Sequence, residues 1–133
     1  MRFRVNPSSA EPVYAQLARQ AREGLARGAL TPGERLPTVR ELALELLINP
    51  NTVAAAYREM ERTGIVYPQR GRGTFVADIP AAASPPERRK LIQKHAEALL
   101  TEAAHLQLSE QEVLDAVRAA AGKFRLREGR KDE

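Results

Sequence analysis

The stretch Ile48 to Thr63, INPNTVAAAYREMERT, constrains the fold of this chain more than any other. Asn49 is a good N-cap, Pro50 sits at a first helical position where a missing N–H costs nothing, and Gly64 supplies the stop. Val53, Ala56, Tyr57 and Met60 follow the three-and-four spacing of a buried stripe, while Asn49, Asn51 and Thr52 put short hydrogen-bonding side chains at the amino end. One face can dock and one end can read. An ordinary amphipathic surface helix and a DNA recognition helix both fit that description, so the flanking segments have to decide between them.

Before it, residues 1 to 10 read as extended and irregular, with Pro7, Ser8 and Ser9 as turn formers. A first helix begins at Pro12 and runs to about Arg27, with Val13, Leu17, Ala18, Ala21 and Leu25 on one stripe and Gly28 to end it. Pro32-Gly33 is a turn signal, and Pro37 pushes Leu36 toward an extended conformation. Thr38 to Glu41 reads TVRE, a capping box that opens a second helix carrying Val39, Leu42, Ala43, Leu46 and Leu47 inward. Two short helices joined this tightly, the second opening with Asn-Pro-Asn-Thr, have the sequence form of a helix-turn-helix. Beyond Gly64, the β-prone runs Ile65-Val66-Tyr67 and Thr74-Phe75-Val76 flank a turn rich in Arg and Gly, which predicts a hairpin wing. Its tip, QRGRG, sets the guanidinium groups of Arg70 and Arg72 on a backbone thinned by Gly71 and Gly73, as a probe of phosphate or of a minor groove requires.

Charge points the same way. From Met1 to Ala77 there are eleven arginines, no lysine and seven acidic residues, whereas from Asp78 onward ten basic residues balance ten acidic ones. The whole net charge of +4 therefore sits in the first part. Arg is the side chain whose planar fork grips phosphates and guanine edges with two hydrogen bonds at once. A high-GC genome would also write Arg for Lys, but Lys90, Lys94, Lys123 and Lys131 occur later in the chain.

Taken in order, PVYAQLARQ, GALTPGERLPTVRELALEL, NPNTVAAAYREMERTGIV and RGRGTFV resemble, from Pro12 to Val76, the winged helix-turn-helix of the GntR family of bacterial transcription regulators. The resemblance implies that Arg40 and the amino end of the helix at Asn49 lie on DNA, with Arg70 and Gly71 at the wing. Many members carry Arg after the first cap residue and again on the helix face, where this chain has Pro50 and Ala54. The Asn-Pro-Asn-Thr-Val form is similar to the YtrA-like and MocR-like branches. MocR-like members continue into a large aminotransferase-type domain for which this chain has no room, so the YtrA-like branch, with its short helical tail, is the closer match. The missing arginines shift weight onto Arg40, Asn51, Thr52 and the wing.

Asp78 to Pro86, DIPAAASPP, reads as a semi-rigid linker. Ser84 and Glu87 form a further capping box around Pro85, opening a helix to about Leu106 whose stripe includes Leu91, Ile92, His95, Leu99 and Leu106. Another capping box, Ser109 to Glu112, opens a last helix with Val113, Val117 and Phe124 on its apolar face. Two such helices expose more apolar surface than they can bury on each other, so a second copy is the economical partner, with folding back onto the winged domain as the alternative. The family resemblance also implies dimerisation here. His95 and His105 are the only histidines, and ten residues of helix place them about 15 Å apart, too far to share an ion within one chain.

The sequence thus predicts a mostly α protein with a small β-hairpin wing. Its expected parts are a winged helix-turn-helix DNA-binding domain over 1–77, a linker over 78–86, a two-helix dimerisation hairpin over 87–125 and a charged tail over 126–133. The expected function is that of a cytoplasmic, homodimeric, sequence-specific transcription regulator, a repressor on a two-fold symmetric double-stranded DNA operator. Expected DNA contacts are Arg40, Asn49, Asn51, Thr52, Arg70, Gly71 and Arg72; expected dimer contacts are Leu91, Ile92, His95, Leu99, Leu106, Val113, Val117 and Phe124. No nucleophile and base pair, metal cluster or cofactor loop can be assembled from these residues, so no enzyme, cofactor or metal site is expected. No apolar run approaches the roughly 20 residues of a membrane span. Release of the DNA by an unknown small-molecule effector is left open by the sequence, a pocket between protomers being the place for it. The competing class is a winged helix that binds another protein without specific DNA readout.

Overall fold

The computed structural model describes residues 1–78 and 84–126, and the chain divides into two compact units, Met1–Ile79 and Pro80–Glu133. In the first unit, α1 (Val13–Arg27) follows Pro12 and ends on Gly28 in the left-handed conformation. Its inward face buries Leu17, Ala21 and Leu25, together with one polar side chain, Gln16. The Gln16 carboxamide accepts from the Asn6 amide and donates to the carbonyls of Asn6 and Glu11, at 2.8 to 2.9 Å. One turn later the Gln20 carboxamide exchanges two hydrogen bonds with the backbone of Arg4. The irregular N-terminal arm is therefore stapled along α1, and its Phe3 is buried in the core, a contact that turn signals in the first ten residues do not announce.

The capping box at Thr38 forms as the sequence predicts. The Thr38 hydroxyl accepts from the Glu41 amide and the Glu41 carboxylate from the Thr38 amide, starting α2 (Val39–Leu46). Leu42 and Ala43 are buried, with Val39 and Leu46 packed partly against the core. Leu47, expected to face inward, does not. It takes φ +56° as the left-handed residue that ends α2, its amide donating back to the carbonyls of Ala43 and Leu44, and its side chain is 86% exposed. The short passage to α3 needs this reversal of the backbone, and Ile48 takes the inward place instead.

In α3 (Pro50–Arg62), Val53, Ala56, Tyr57 and Met60 are buried between α1, α2 and the strand that follows. The hairpin consists of β1 (Val66–Gln69) and β2 (Gly73–Val76), paired antiparallel with Val66 opposite Val76 and Gln69 opposite Gly73. The outer edge of β2 is covered by the link between α1 and α2. Leu36 donates to Thr74, Gly33 to Val76, and Val76 to Glu34, at 2.8 to 2.9 Å. The extended bias that Pro37 gives Leu36 thus lets the link form an isolated antiparallel bridge, Arg35 to Phe75, along β2.

In the second unit, α4 (Pro85–His105) begins with the Ser84 and Glu87 capping box and α5 (Glu110–Ala121) with Ser109 accepting from the Glu112 amide. Gln107, at φ +58°, turns the chain between them. Only Ala103 and Val113 are buried among the described residues of this unit. Val113, expected at a dimer contact, is thereby placed inside the hairpin, and Phe124, expected to extend the last helix, lies beyond its end. Residues 79–83 of the expected linker and 127–133 of the expected tail lie outside the described residues. Among the described residues no helix is long and apolar enough to cross a membrane, and no group of three or more side chains could hold a metal ion.

A single hydrogen bond ties α3 to the segment before α2: the Tyr57 hydroxyl donates to the Pro37 carbonyl at 2.6 Å. Burial, and secondarily the charge of Glu41, push the phenol well above its ordinary value of 10.0. Tyr57→Phe is expected to cost about 1 to 2 kcal/mol in urea unfolding at neutral pH, because it strands that carbonyl. A phenol whose ionisation is suppressed in the folded state loses its contribution as pH rises above its unfolded value. The wild-type protein should therefore lose stability above pH 10 in a component that Tyr57→Phe lacks.

Candidate nucleic-acid interface

The amino end of α3 is open, polar and free of acid. Asn49 caps it, its side-chain oxygen accepting from the Asn51 amide at 2.8 Å, and Pro50 occupies the next position. No acidic side chain lies in the first turn, so the partial positive charge of the helix end is not neutralised from within and suits an anion such as phosphate. Asn49 and Asn51 are exposed and Thr52 is half-buried. Asn49 therefore divides its roles: its oxygen is committed to the cap, and its amide hydrogens remain to donate.

Arg40 stands in the first turn of α2, exposed, while Leu42 and Ala43 of the same turn face the core. The wing carries Arg70, Gly71 and Arg72 at its tip, all exposed. Arg58, which the sequence reading did not single out, is exposed on α3 seven residues after Asn51, two helical turns along the same outward side. Its seven-residue spacing from Asn51 marks the face it occupies, but not its freedom from a carboxylate partner. None of Arg40, Arg58, Arg70 and Arg72 forms an ion pair among the described residues, whereas Arg2, Arg19 and Arg62 each face a carboxylate. Hydrogen bonding to Arg62 holds Glu59 below its usual range, so that pair is charged and satisfied. The surface around α3 thus presents cations available to an external anion.

Wing geometry depends on two glycines. The Arg72 amide donates to the Gln69 carbonyl at 2.9 Å, closing a tight turn in which Gly71 has φ +79°. Gly73 follows at φ +121°, and a Cβ there would lie 2.9 Å from Nε of Arg35, whose side chain passes over it. Tyr67 and Phe75, a directly paired couple, stack with ring centroids 6.0 Å apart and stiffen the base of the hairpin. The tip is therefore narrow, rigidly supported and doubly cationic.

Residues 13–76 match the family described as "Bacterial regulatory proteins, gntR family". The chain is 37% identical over 101 residues to the "HTH-type transcriptional repressor YtrA" of Bacillus subtilis, covering 76% of this chain and 78% of that one. It is 39% identical over 110 residues to the "Uncharacterized HTH-type transcriptional regulator YhcF" of the same organism, covering 83% and 90%. Among solved structures, a transcriptional antiterminator from Listeria monocytogenes aligns with 97% of this chain and 98% of its own at a TM-score of 0.74 and 27% identity. The DNA-binding domain of AraR, solved in complex with operator ORX1, aligns with 58% of this chain and 99% of its own at a TM-score of 0.51 and 28% identity.

Because Gly73 combines a left-handed backbone with the overlying Arg35 side chain, Gly73→Ala is expected to lower stability by about 1 to 3 kcal/mol. Chemical unfolding followed by circular dichroism measures this. A cost near zero would mean that the wing adopts another turn.

Proposed function

This chain belongs to the GntR family of bacterial transcriptional regulators and is similar to its YtrA-like members, and from that premise we propose that it acts as a homodimeric repressor on a two-fold symmetric DNA operator. The observation that carries the reading is the acid-free amino end of α3 with uncommitted cations on the helix before it and the wing after it. In this reading α3 enters the major groove with Asn51 and Thr52 at base edges, and the Asn49 amide and the helix end approach a backbone phosphate. Arg40 and Arg58 flank it, and the Arg70, Gly71 and Arg72 tip follows the adjacent backbone or minor groove. The AraR domain, whose fold this chain shares, was solved on an operator, which supports DNA over a protein partner for the same surface.

The dimer is supported by what the second unit leaves uncovered. Leu91, Ile92 and Leu106 are 57, 66 and 61% exposed, and Leu99 and Val117 are also exposed, while the unit buries only Ala103 and Val113. A hairpin this thin gains its stability by association, and His95 lies among the exposed residues. Two copies would present their reading helices one helical turn of DNA apart, about 34 Å. An effector, if the protein uses one, would sit between the protomers. The region 1–77 then serves as the DNA-binding part and 87–125 as the dimerisation part.

Arg40→Ala is expected to weaken operator binding by about 1 to 3 kcal/mol if the side chain reads a base edge, and to weaken specific and non-specific DNA alike if it holds phosphate. Arg70→Ala and Arg72→Ala should each reduce the log-log salt slope of binding by about one. Fluorescence anisotropy on operator and scrambled duplexes at several salt concentrations measures all three. A salt-independent affinity, equal for wild type and variants, would assign the surface to a protein partner instead.

A further inference from the structure

The exposed face of α4 is symmetric in chemical character about its own midpoint. Arg88, Leu91, His95, Leu99, Glu102 and Leu106 follow one another at three- and four-residue spacing and share one side of the helix. His95 is seven residues from both Arg88 and Glu102 and four from both Leu91 and Leu99. Charge is segregated along the same helix. Residues 85–95 hold Arg88, Arg89, Lys90 and Lys94 against Glu87 alone, whereas residues 96–105 hold Glu97 and Glu102 and no Lys or Arg. Neither Arg88 nor Glu102 has a side-chain hydrogen bond or ion pair among the described residues.

We infer that two copies of this chain pair their α4 helices antiparallel, in the register that sets His95 against the partner's His95. This rests on the dimeric reading above and specifies its geometry. In that register Arg88 meets the partner's Glu102, Leu91 meets the partner's Leu99, and each contact occurs twice by symmetry. The parallel alternative would oppose Arg88 to the partner's Arg88 and Glu102 to the partner's Glu102, stacking like charge on like charge at both ends. Shape agrees with charge. Beside Leu99, α4 and α5 enclose an apolar groove of about 300 Å³ floored by Ala103, Val113 and Val117, whereas the exposed Leu91 lies toward the linker end of the helix. Antiparallel docking carries Leu91 of each copy to the groove of the other. It also separates the two linker ends. His95 is ten positions after Pro85, so the two Pro85 residues would stand about 30 Å apart along the helix axes, close to one turn of DNA.

The chain has no cysteine, so single thiols report without background. Full-length Arg88→Cys and Glu102→Cys, carrying tags of different mass, are treated with a short bis-maleimide separately and after mixing. The expected result is a cross-linked heterodimer in the mixture, on the order of tenfold above either variant alone. A dimer that cross-links as readily through Arg88→Cys alone, or in none of the three reactions, overturns the antiparallel register and leaves dimerisation standing. A chain that sediments as a monomer throughout the micromolar range overturns both. A second measurement avoids thiols: Arg88→Glu and Glu102→Arg should each weaken self-association about 3- to 10-fold, and an equimolar mixture of the two should recover wild-type association. No recovery on mixing overturns the register.

Discussion

Burial of the inner face of α3 is the constraint on which the first unit depends. Val53, Ala56 and Met60 have no measurable exposure, and Tyr57 is almost as deep. α1, α2 and β1 each pack against that face, so the helix that presents the acid-free polar end is also the one around which the core is assembled. A hydroxyl inside such a core must find an acceptor or impose a penalty, and Tyr57 finds the carbonyl just before the α2 cap. The orientation of α2, and with it of Arg40, is tied to the depth of α3 by one short hydrogen bond.

The two units divide rigidity unequally. The first has a continuous core of fifteen residues reaching from Phe3 to Val76, while the described part of the second buries two apolar side chains. The polar and cationic surface of this unit is therefore held in place by one chain alone: the helix end by its cap, the wing by two glycines and a stacked aromatic pair, the arm by two glutamines. The second unit is organised oppositely, with well-capped helices and few buried side chains among its described residues.

What the sequence made legible follows from which forces are local. Caps, turns and helical stripes act within a few residues, and Thr38, Asn49, Ser84, the α3 stripe and the glycine-bearing wing all appear where the spacing places them. Long-range partners were not legible. Asn6 and Gln16 are joined across the arm, and Gly33 to Leu36 pair with β2 some forty residues later; no periodicity encodes such contacts. Leu47 misled because its hydrophobicity matches the stripe, while the left-handed turn it must make rotates it outward. Within the reading surface, the polar residues at the start of α3 were visible from composition, but the availability of Arg58 depends on which carboxylates the fold brings near other arginines. That is a property of the assembled surface.

The covering of β2 by the link between α1 and α2 bears on aggregation. Thr74 turns its carbonyl toward Leu36, so its partner across the hairpin, Pro68, turns its backbone nitrogen to the open edge of β1. That nitrogen carries no hydrogen to donate. One side of the sheet is already occupied and the other lacks a donor at Pro68, which hinders edge-to-edge growth of the wing into larger sheets. The exposed apolar faces of α4 and α5 therefore sit on a protein whose strands offer little competing route for chains to join.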